Sequence, residues 1–473
     1  MGTISSALYL VTGALEADQS ALDVVANNVA NANTPGYTRE VPNWSENAPV
    51  EINGVSYGTG VSQTGPTSVR DRILEQRVAQ QQQVASASAA RLTALRSAER
   101  LFPPASGSSS SMAGDIGSDI TAFFDSFASL EANPTDMSLR SQVLASARTL
   151  AGDMSNAAAS LNGQRNSLDQ QASSITIQVN SLTAAIAKLN LEIEGNSPDR
   201  DGGSLEDERQ SDLLKLSQLI GINQIRTENN GTSITTATGE MLVSEGTSYT
   251  IATGFVNGMT RFFLGSTDIT ADLTGSGGEL GGLLTARDQD LPQIIEQLDQ
   301  LAYGISKQTN ALNNGGTDLN GNSGTAANPL YIFNEPITTT GSAANMSVLM
   351  TDPSQVAAAA ANQGSGDNAN AVALAGLRNA GVIRGLTPSG FYSSFVTSLG
   401  ATVSQVEIEN TAESASLTQL QTARNALSGV NLNDEAAFMQ QFERSYQAAS
   451  QIFAILNRIL ASAINLGEQT TVS

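Results

Sequence analysis

Apolar residues recur at helical spacing at both ends of the chain. Near the N-terminus they are separated by steps of three and four, with Asp18 as a polar interruption; the row is Ile4, Leu8, Val11, Leu15, Leu22, Val25 and Val29. Near the C-terminus the same spacing is interrupted at Ser445; that row is Phe438, Phe442, Ala449, Ile452, Leu456, Ile459, Ala463 and Leu466. Such spacing gathers apolar side chains on one helix face, so a long amphipathic helix is predicted at each end.

The C-terminal helix carries a second apolar strip. Its members recur every seven residues beside the first row: Met439, Tyr446, Phe453 and Leu460. An isolated helix is marginal in water, because most of its stability comes from packing its apolar face. We therefore expect the two terminal helices to pair as a coiled coil, with one edge of the C-terminal helix left for another partner. A pairing that only closes an ordinary core is the alternative.

An asparagine-rich segment follows the first helix. Asparagine is a poor interior helix former, because its side chain hydrogen-bonds to nearby backbone. Proline and glycine then stop the helix and turn the chain. The residues concerned are Asn27, Asn28, Asn31, Pro35, Gly36 and Tyr37. This composition directly after a long apolar stripe predicts that the helix ends and the chain turns here.

The middle of the chain alternates between helical and strand-like patterns. Short runs punctuated by Pro and Gly over residues 38–68 predict an extended β arm. Helical spacing then predicts helices over Val69–Phe102, Ile116–Leu130, Leu205–Ile220, Leu291–Leu312 and Phe391–Leu427. Residues 222–278 are rich in Thr, Ser, Gly and Val, and Asn-Gly pairs at Asn230 and Asn257 predict hairpin turns.

The longest regular pattern is a heptad repeat. Apolar residues fall every seven positions, with a second series between them: Leu161, Leu168, Ile175, Leu182 and Leu189, and Ala172, Val179, Ile186 and Ile193. A heptad seam predicts a helix packed lengthwise against other helices. At 1.5 Å per residue, a helix over this stretch is about 50 Å long, which predicts an elongated bundle.

The predicted fold is mainly α with an inserted β domain. The order of the elements is nested. Residues 1–37 and 430–473 form a discontinuous terminal coiled-coil domain, and 38–68 form the β arm. Residues 69–221 and 279–429 form a discontinuous helical bundle, and 222–278 form a small β-rich outer domain.

Composition removes several classes of chemistry. The 473 residues include no cysteine and no histidine, which excludes thiol catalysis, disulfides, the usual zinc sites and histidine-based triads. The net charge of -22 disfavours nucleic acid and anionic membrane surfaces, since both are bound through clustered Lys and Arg. No enzyme activity, cofactor or metal is expected. The segment from Asp318 to Asn322 imitates a calcium loop, but Ser323 stands where Gly is needed, so a turn is predicted.

The first twenty residues have neither a basic start nor an unbroken apolar core. We therefore expect no cleaved signal peptide and no membrane-spanning segment there.

Two terminal motifs resemble those of the bacterial flagellar axial proteins, which build the rod, the hook and the hook–filament junction. They are ANNVANANTPGYTR, from Ala26 to Arg39, and SGVNLNDEAAFMQQFERSYQAASQIF, from Ser428 to Phe453. Interior segments resemble the hook-associated members and not the hook or rod members. These segments are Leu216–Ile222, Gly277–Ala302, Asp318–Asn322, Gly366–Leu377 and Phe391–Gly400.

The resemblance implies a structural role. It implies a subunit of the hook–filament junction that is required for filament assembly, exported without a cleaved signal peptide to the extracellular flagellum. The implied partners are the hook protein, the second junction protein, copies of this chain in a ring or helical layer, and an export chaperone bound to the C-terminal helix. It also implies that the termini lie at the axis of a tube and the β insertion outside.

The candidate site is therefore an assembly interface on the terminal helices and the turn. Its predicted members are Ile4, Leu8, Val11, Leu15, Leu22, Val25, Asn27, Asn28, Asn31, Pro35, Gly36, Tyr37, Phe438, Phe442, Tyr446, Ile452, Phe453, Leu456 and Ile459. Two other functions stay open at this point: a hook or rod subunit, and an extracellular carboxylate glycosidase on a helical stalk, whose paired acids no spacing in the chain would reveal.

Overall fold

The computed structural model describes residues 2–52, 54–103, 115–196, 202–228 and 230–469. Its contacts form two compact units. Unit 1 contains Met1–Gln83, Gln178–Thr250 and Ser414–Ser473, and unit 2 contains Val84–Ile177 and Ile251–Glu413. The chain is mainly helical with smaller β-sheets, which confirms the predicted fold class. The division into four parts predicted above was drawn from helix and strand patterns in the sequence, and it stays a prediction.

The helices account for most of the described chain. They are α1 (Gly2–Asn31), α2 (Arg72–Glu99), α3 (Ile116–Ala132), α4 (Met137–Asn196), α5 (Ser204–Leu219), α6 (Thr270–Leu273), α7 (Gly278–Thr285), α8 (Leu291–Gly315), α9 (Ala369–Gly376), α10 (Pro388–Ser428) and α11 (Leu432–Gln469). A π-helical turn at Ala286–Asp290 joins α7 to α8. The heptad residues lie within α4, where all are buried except Leu182, which is half-buried.

The strands are short. They are β1 (Glu40–Val41), β2 (Trp44–Glu46), β3 (Val50–Ile52), β4 (Val55–Tyr57), β5 (Val61–Gln63), β6 (Thr67–Ser68), β7 (Ile222–Arg226), β8 (Thr232–Thr236), β9 (Met241–Ser244), β10 (Thr247–Ser248), β11 (Ile251–Val256), β12 (Met259–Leu264) and β13 (Thr267–Asp268). All described pairings are antiparallel.

In unit 1, α1 packs along α11. The end of α1 meets the start of α11, because Asn28 hydrogen-bonds to Glu435, so the two helices run antiparallel. Small and β-branched residues are buried along α1, namely Ala17, Ala21, Val24 and Val25. Small side chains allow close approach of the two helices, and the predicted pairing of the terminal helices is confirmed.

The β arm of unit 1 is a set of nested antiparallel ribbons lying on α1. Strand β1 pairs with β6, β2 with β5, and β3 with β4. Gln63 in β5 donates a hydrogen bond to Ser20 of α1. Gly60 has φ +91°, and a Cβ there would lie 3.0 Å from Leu10 Cδ2. Only glycine fits this close approach without strain.

Two small sheets follow the helices. Unit 1 contains the meander β10-β9-β8-β7, and unit 2 contains β11-β12-β13. Gln83 of α2 clamps the first strand of the meander, donating from Nε2 to Ile222 O at 3.0 Å and accepting from Ile222 N at 3.1 Å. In unit 2, Asn257 and Gly258 have φ of 52° and 82° and connect paired residues Val256 and Met259, as the Asn-Gly pair predicts.

Unit 2 has an aromatic core. Phe123, Phe124, Phe127 and Phe333 are fully buried. The ring centroids of the last three lie 5.1 to 5.4 Å from the ring centroid of Phe123. Aromatic pairs at such distances stabilise the fold beyond what burial of their area alone contributes.

Asp115 caps α3 by accepting a hydrogen bond from Ser118 N at 3.2 Å.

A carboxyl cluster in unit 2 makes stability depend on pH. Burial, a hydrogen bond to Asp153 and the nearby charge of Asp115 raise the pKa of Asp119 to about 7. The buried hydroxyl of Tyr392, from α10, faces the same acids. Since the folded state holds this proton more tightly than the unfolded chain, the contribution to stability is full below about pH 4 and is lost as pH rises to about 7.

Asp119→Asn is therefore expected to raise the unfolding midpoint at pH 8 and to flatten the decline in stability between pH 4 and pH 7. Urea unfolding followed by circular dichroism across this range measures both effects. Asp125→Asn on the same helix serves as the control, since it removes only an exposed ion pair with Arg378. An identical pH profile for Asp119→Asn and the unaltered chain would contradict the raised pKa of Asp119.

Candidate assembly site at the terminal helices

Asn28 is the centre of a hydrogen-bonded cluster at the end of α1, and its side-chain amide uses all of its hydrogen-bonding capacity. Its Oδ1 accepts from Tyr37 Oη at 2.8 Å and from Glu40 N at 2.9 Å. Its Nδ2 donates to Glu40 O at 2.8 Å and to Glu435 Oε2 at 3.0 Å. The side chain is 1 % exposed. One amide thus joins α1, the turn after it and the start of α11.

An ion pair closes the same cluster. Arg39 Nε lies 2.6 Å from Glu435 Oε1, and Glu435 is 1 % exposed. Arg39 N also donates to Ser428 O at 2.9 Å, and its guanidinium lies over the ring of Phe438 at 5.4 Å. A charge-assisted hydrogen bond of this kind is roughly twice as strong as one between neutral groups. We call Asn28, Tyr37, Arg39, Glu40, Ser428 and Glu435 the terminal junction.

The turn after α1 is held from two further helices of unit 1. Arg424 Nη2 of α10 donates to Gly36 O at 2.9 Å and to Thr38 Oγ1 at 3.3 Å. Thr38 N donates to Asp207 Oδ2 of α5 at 2.9 Å. Gly36 has φ +87°, a conformation that favours glycine, which explains its place in the motif.

Tyr37 acts in this cluster as a permanent donor. Burial, followed by the charges of Glu40, Asp207 and Glu435, raises the pKa of its hydroxyl above the ordinary value. The phenol therefore keeps its proton at any physiological pH and holds Asn28 Oδ1 in place. The charged side chains around it fix the protonation state as well as the geometry.

The predicted interface residues include buried, half-buried and exposed side chains. Val25 and Asn28 are buried. The half-buried members are Ile4, Leu8, Val11, Leu15, Leu22, Asn31, Gly36, Tyr37, Phe442, Phe453 and Leu456. The exposed members are Asn27, Pro35, Phe438, Tyr446, Ile452 and Ile459. The side chain of Leu466, in the predicted C-terminal row, lies outside the described part. The set thus divides into residues that hold the chain's own termini together and residues that face outward.

The outward-facing residues of α11 form an apolar stripe. Ile452, Ile455 and Ile459 are 50 %, 55 % and 47 % exposed. Their spacing of three and four residues keeps them on one side of the helix. We call these three residues the α11 stripe. Contiguous exposed apolar surface of this kind is typical of an interaction site, so the α11 stripe stays a candidate interface.

Sequence reasoning missed part of the site. It did not single out Ile455, although the spacing of Ile452, Ile455 and Ile459 is helical and could have revealed it. It also missed Arg39, Glu40, Arg424 and Glu435. Arg39 and Glu435 are 396 residues apart in the chain, and no periodicity connects two charges across such a distance.

Other chemistry has little support in the described part of the chain. No group of three or more acidic residues there is placed to hold a metal ion. Asp318 instead accepts hydrogen bonds from Asn320 N at 2.8 Å and Asn322 N at 2.7 Å, which is the predicted turn. Among the described helices none is long and apolar enough to cross a membrane.

Family models match two stretches of the chain. A model described as the helical domain of flagellar hook-associated protein FlgK matches residues 108–327, and one described as flagella basal body rod protein matches residues 8–38. The second match covers α1 and the asparagine-rich turn, where the terminal junction begins.

Full-length relatives and one solved structure agree with these matches. Flagellar hook-associated protein 1 of Escherichia coli K12 is 24 % identical over 563 aligned positions, covering 98 % of this chain and 100 % of the relative. The Bacillus subtilis protein of the same name is 26 % identical over 505 positions, covering 96 % of each. The flagellar hook junction protein FlgK of Burkholderia pseudomallei shares the fold, with a TM-score of 0.66 and 19 % identity over 75 % of this chain and 100 % of that chain.

Proposed function

This chain is a relative of flagellar hook-associated protein 1 over nearly its whole length, and we propose that it is a structural subunit of the bacterial flagellum that forms the junction between hook and filament. The observation that carries the proposal is the full-length likeness together with the terminal junction, which brings both flagellar motifs of the sequence into one buried cluster. As a flagellar component it assembles with other flagellar proteins.

The division of the predicted interface supports a specific mode of assembly. The terminal junction ties α1 to α11 within one chain, and it therefore sets the shape of the helix pair before any partner arrives. The α11 stripe then packs against helices of neighbouring subunits, because about 25 cal/mol per Å² of buried apolar area favours covering it. The neighbours proposed are other copies of this chain in a ring or helical layer, the hook protein and the second junction protein.

Removing the protein from cells tests the function directly. We expect cells without it to carry hooks that lack filaments and to release filament subunits into the medium, as seen by electron microscopy and by analysis of the culture fluid. Expression of the intact chain should restore filaments. Filaments of normal number and length on cells that lack this chain would contradict the proposal, and loss of hooks as well would point to a rod or hook subunit.

We further propose that a cytoplasmic export chaperone covers the C-terminal helix before assembly. The α11 stripe is apolar and exposed in the free chain, and an uncovered stripe would promote self-association. Deletion of residues 433–473 should abolish binding to a chaperone of the flagellar export system in calorimetric titration. Asn457→Asp, on the same helix but off the stripe, should bind normally. Unchanged affinity of the deletion variant would contradict this role.

The route and the domain roles belong to the same proposal. Export without a cleaved signal peptide would place the chain in the extracellular flagellum. The terminal domain at 1–37 and 430–473 would form the assembly core. The arm at 38–68 would connect this core to the helical bundle at 69–221 and 279–429, which would lie farther from the axis. The β-rich segment 222–278 would be the outermost part. A structural role requires no catalysis, so no turnover of any substrate is proposed.

A further inference from the structure

A cleft rich in arginine lies within unit 1, between the start of α2, helix α5 and strands β7 and β8. Its volume is about 220 Å³. Its charged lining consists of four arginines, Arg70, Arg72, Arg209 and Arg226, and two glutamates, Glu75 and Glu206. The lining thus has a formal excess of two positive charges, four minus two, in a chain whose net charge is -22. The terminal junction does not use this cleft.

The carboxylates near the cleft engage only part of the guanidinium groups. Arg70 Nη1 lies 3.4 Å from Glu206 Oε2, and Arg70 Nη2 lies 2.5 Å from Asp207 Oδ1. Arg72 Nη2 lies 3.1 Å from Glu206 Oε2. Arg209 donates to uncharged groups, Asn190 Oδ1 at 2.9 Å and the backbone oxygen of Asn230 at 2.6 Å. Glu206 therefore serves two arginines, and Arg209 has no carboxylate hydrogen-bonded to it among these contacts.

Three buried polar atoms around the cleft make no hydrogen bond: Arg70 Nε, Glu75 Oε1 and Gln210 Nε2. Glu75 Oε1 is within ion-pair distance of Arg424 Nη2, at 3.7 Å, but too far for a hydrogen bond. The Arg70 side chain is 5 % exposed and that of Glu75 is 6 % exposed. Glu75 Oε2 lies 3.9 Å from Arg70 Nε, which is beyond hydrogen-bond reach. Each unsatisfied buried group costs free energy, so a ligand that pairs with these atoms would be favoured.

The electrostatics of the cleft also favour an anion. Burial, together with the charges of Arg70, Arg226 and Arg72, lowers the pKa of Arg209 to about 10, even though Glu206 acts in the opposite direction. Burial raises the pKa of Glu75. With Asp207, which pairs with Arg70, three carboxylates face the four arginines of the cleft, so one positive charge is left over. An oxyanion among the four guanidinium groups would offset that charge.

We propose that this cleft binds a small oxyanion of the phosphate class. Phosphate offers acceptor oxygens to Arg70 Nε and Gln210 Nε2, and it carries at least one hydroxyl at neutral pH that can donate to Glu75 Oε1. Such charge-assisted hydrogen bonds would satisfy atoms that have no partner within the chain. At roughly 30 Å³ per water molecule, the cleft has room for one such ion and the waters around it. The site goes beyond the structural role in the flagellum and would add a ligand that stabilises unit 1.

Isothermal titration of the full chain with inorganic phosphate at pH 7 tests the site, with ionic strength held constant by chloride. Constant ionic strength matters because screening alone changes the strength of exposed charge pairs. We expect saturable binding with one phosphate per chain. Arg226→Gln, at an exposed position, and Gln210→Leu, which removes an unsatisfied donor, should each weaken binding about tenfold or more. Arg77→Gln, on α2 but outside the cleft lining, should bind as the unaltered chain does.

Two further measurements separate the alternatives. Acetate should bind more weakly than phosphate, because it has no hydroxyl to donate to Glu75. Circular dichroism should show that each variant keeps the helical content of the unaltered chain. Absence of saturable binding, equal weakening by Arg77→Gln, unchanged binding by correctly folded Arg226→Gln and Gln210→Leu variants, or equal binding of acetate would overturn the proposal. The first of these results would mean that the cleft holds water only.

Discussion

Ile459→Asp is expected to prevent the chain from entering the flagellum while the free chain stays folded. Ile459 is 47 % exposed in the chain by itself, so its replacement removes little internal packing. In an assembled seam the same position would be desolvated. Burying a carboxylate there without a partner costs several kcal/mol in each subunit, and the cost recurs in every copy of a ring or layer. We expect non-motile cells without filaments.

A matched variant separates position from charge. Asn457→Asp adds the same negative charge two residues earlier, which is about 200° around the helix and away from the α11 stripe. It should support normal filaments, as judged by electron microscopy and motility. Leu456→Asp is expected to behave differently from both, because Leu456 is half-buried in its own chain and its loss should also weaken the pairing of α1 with α11. Normal filaments with Ile459→Asp would remove the α11 stripe from the assembly interface.

Asn28→Asp is expected to destabilise the terminal junction by about 3 kcal/mol or more. The substitution keeps the shape of the side chain but replaces the donor Nδ2 by a carboxylate oxygen. That oxygen would face Glu435 Oε2, now 3.0 Å from Nδ2, and Glu40 O, now 2.8 Å from it. A buried charge without a compensating partner carries a penalty of this size. Amide hydrogen exchange should show early opening of the end of α1 and the first turns of α11.

The pH dependence of this variant distinguishes repulsion from a general packing defect. Two facing carboxyls cannot both ionise easily, so one acquires a raised pKa. The loss of stability should therefore be greatest above that pKa and should shrink as pH falls and one proton is shared. Asn27→Asp is the control, because Asn27 is exposed and donates only a long hydrogen bond of 3.4 Å to Tyr37 Oη. Equal destabilisation by both variants would show that Asn28 has no special position.

The asparagine-rich motif illustrates how far residue patterns reach. Its composition predicts a helix end and a turn, and both occur, with α1 ending at Asn31 and Gly36 at φ +87°. The same composition gives no reason to rank Asn28 above Asn31. The structure separates them, because Asn28 joins three segments whereas Asn31 Nδ2 donates within its own helix, to Asn27 O and Asn27 Oδ1. That difference arises from how the turn folds Tyr37 and Glu40 back onto Asn28 and from the contact with Glu435, which is 407 residues away, and helical spacing encodes neither.

Helices and their apolar faces were determined by the sequence itself. Periodicity of 3.6 or 3.5 residues is a local property, so it predicts α1, α11 and the heptad part of α4, and apolar burial explains why these faces must be covered. Which apolar residues are covered within the chain was decided by the tertiary structure. Val25, on the apolar face of α1, is buried, whereas Ile452 and Ile459, on an apolar face of α11, stay exposed. The reason is that α11 presents two apolar edges and α1 can cover only one of them. Asn28, Arg39 and Glu435 fix the geometry of the antiparallel pair. That geometry decides which edge of α11 is left for a partner.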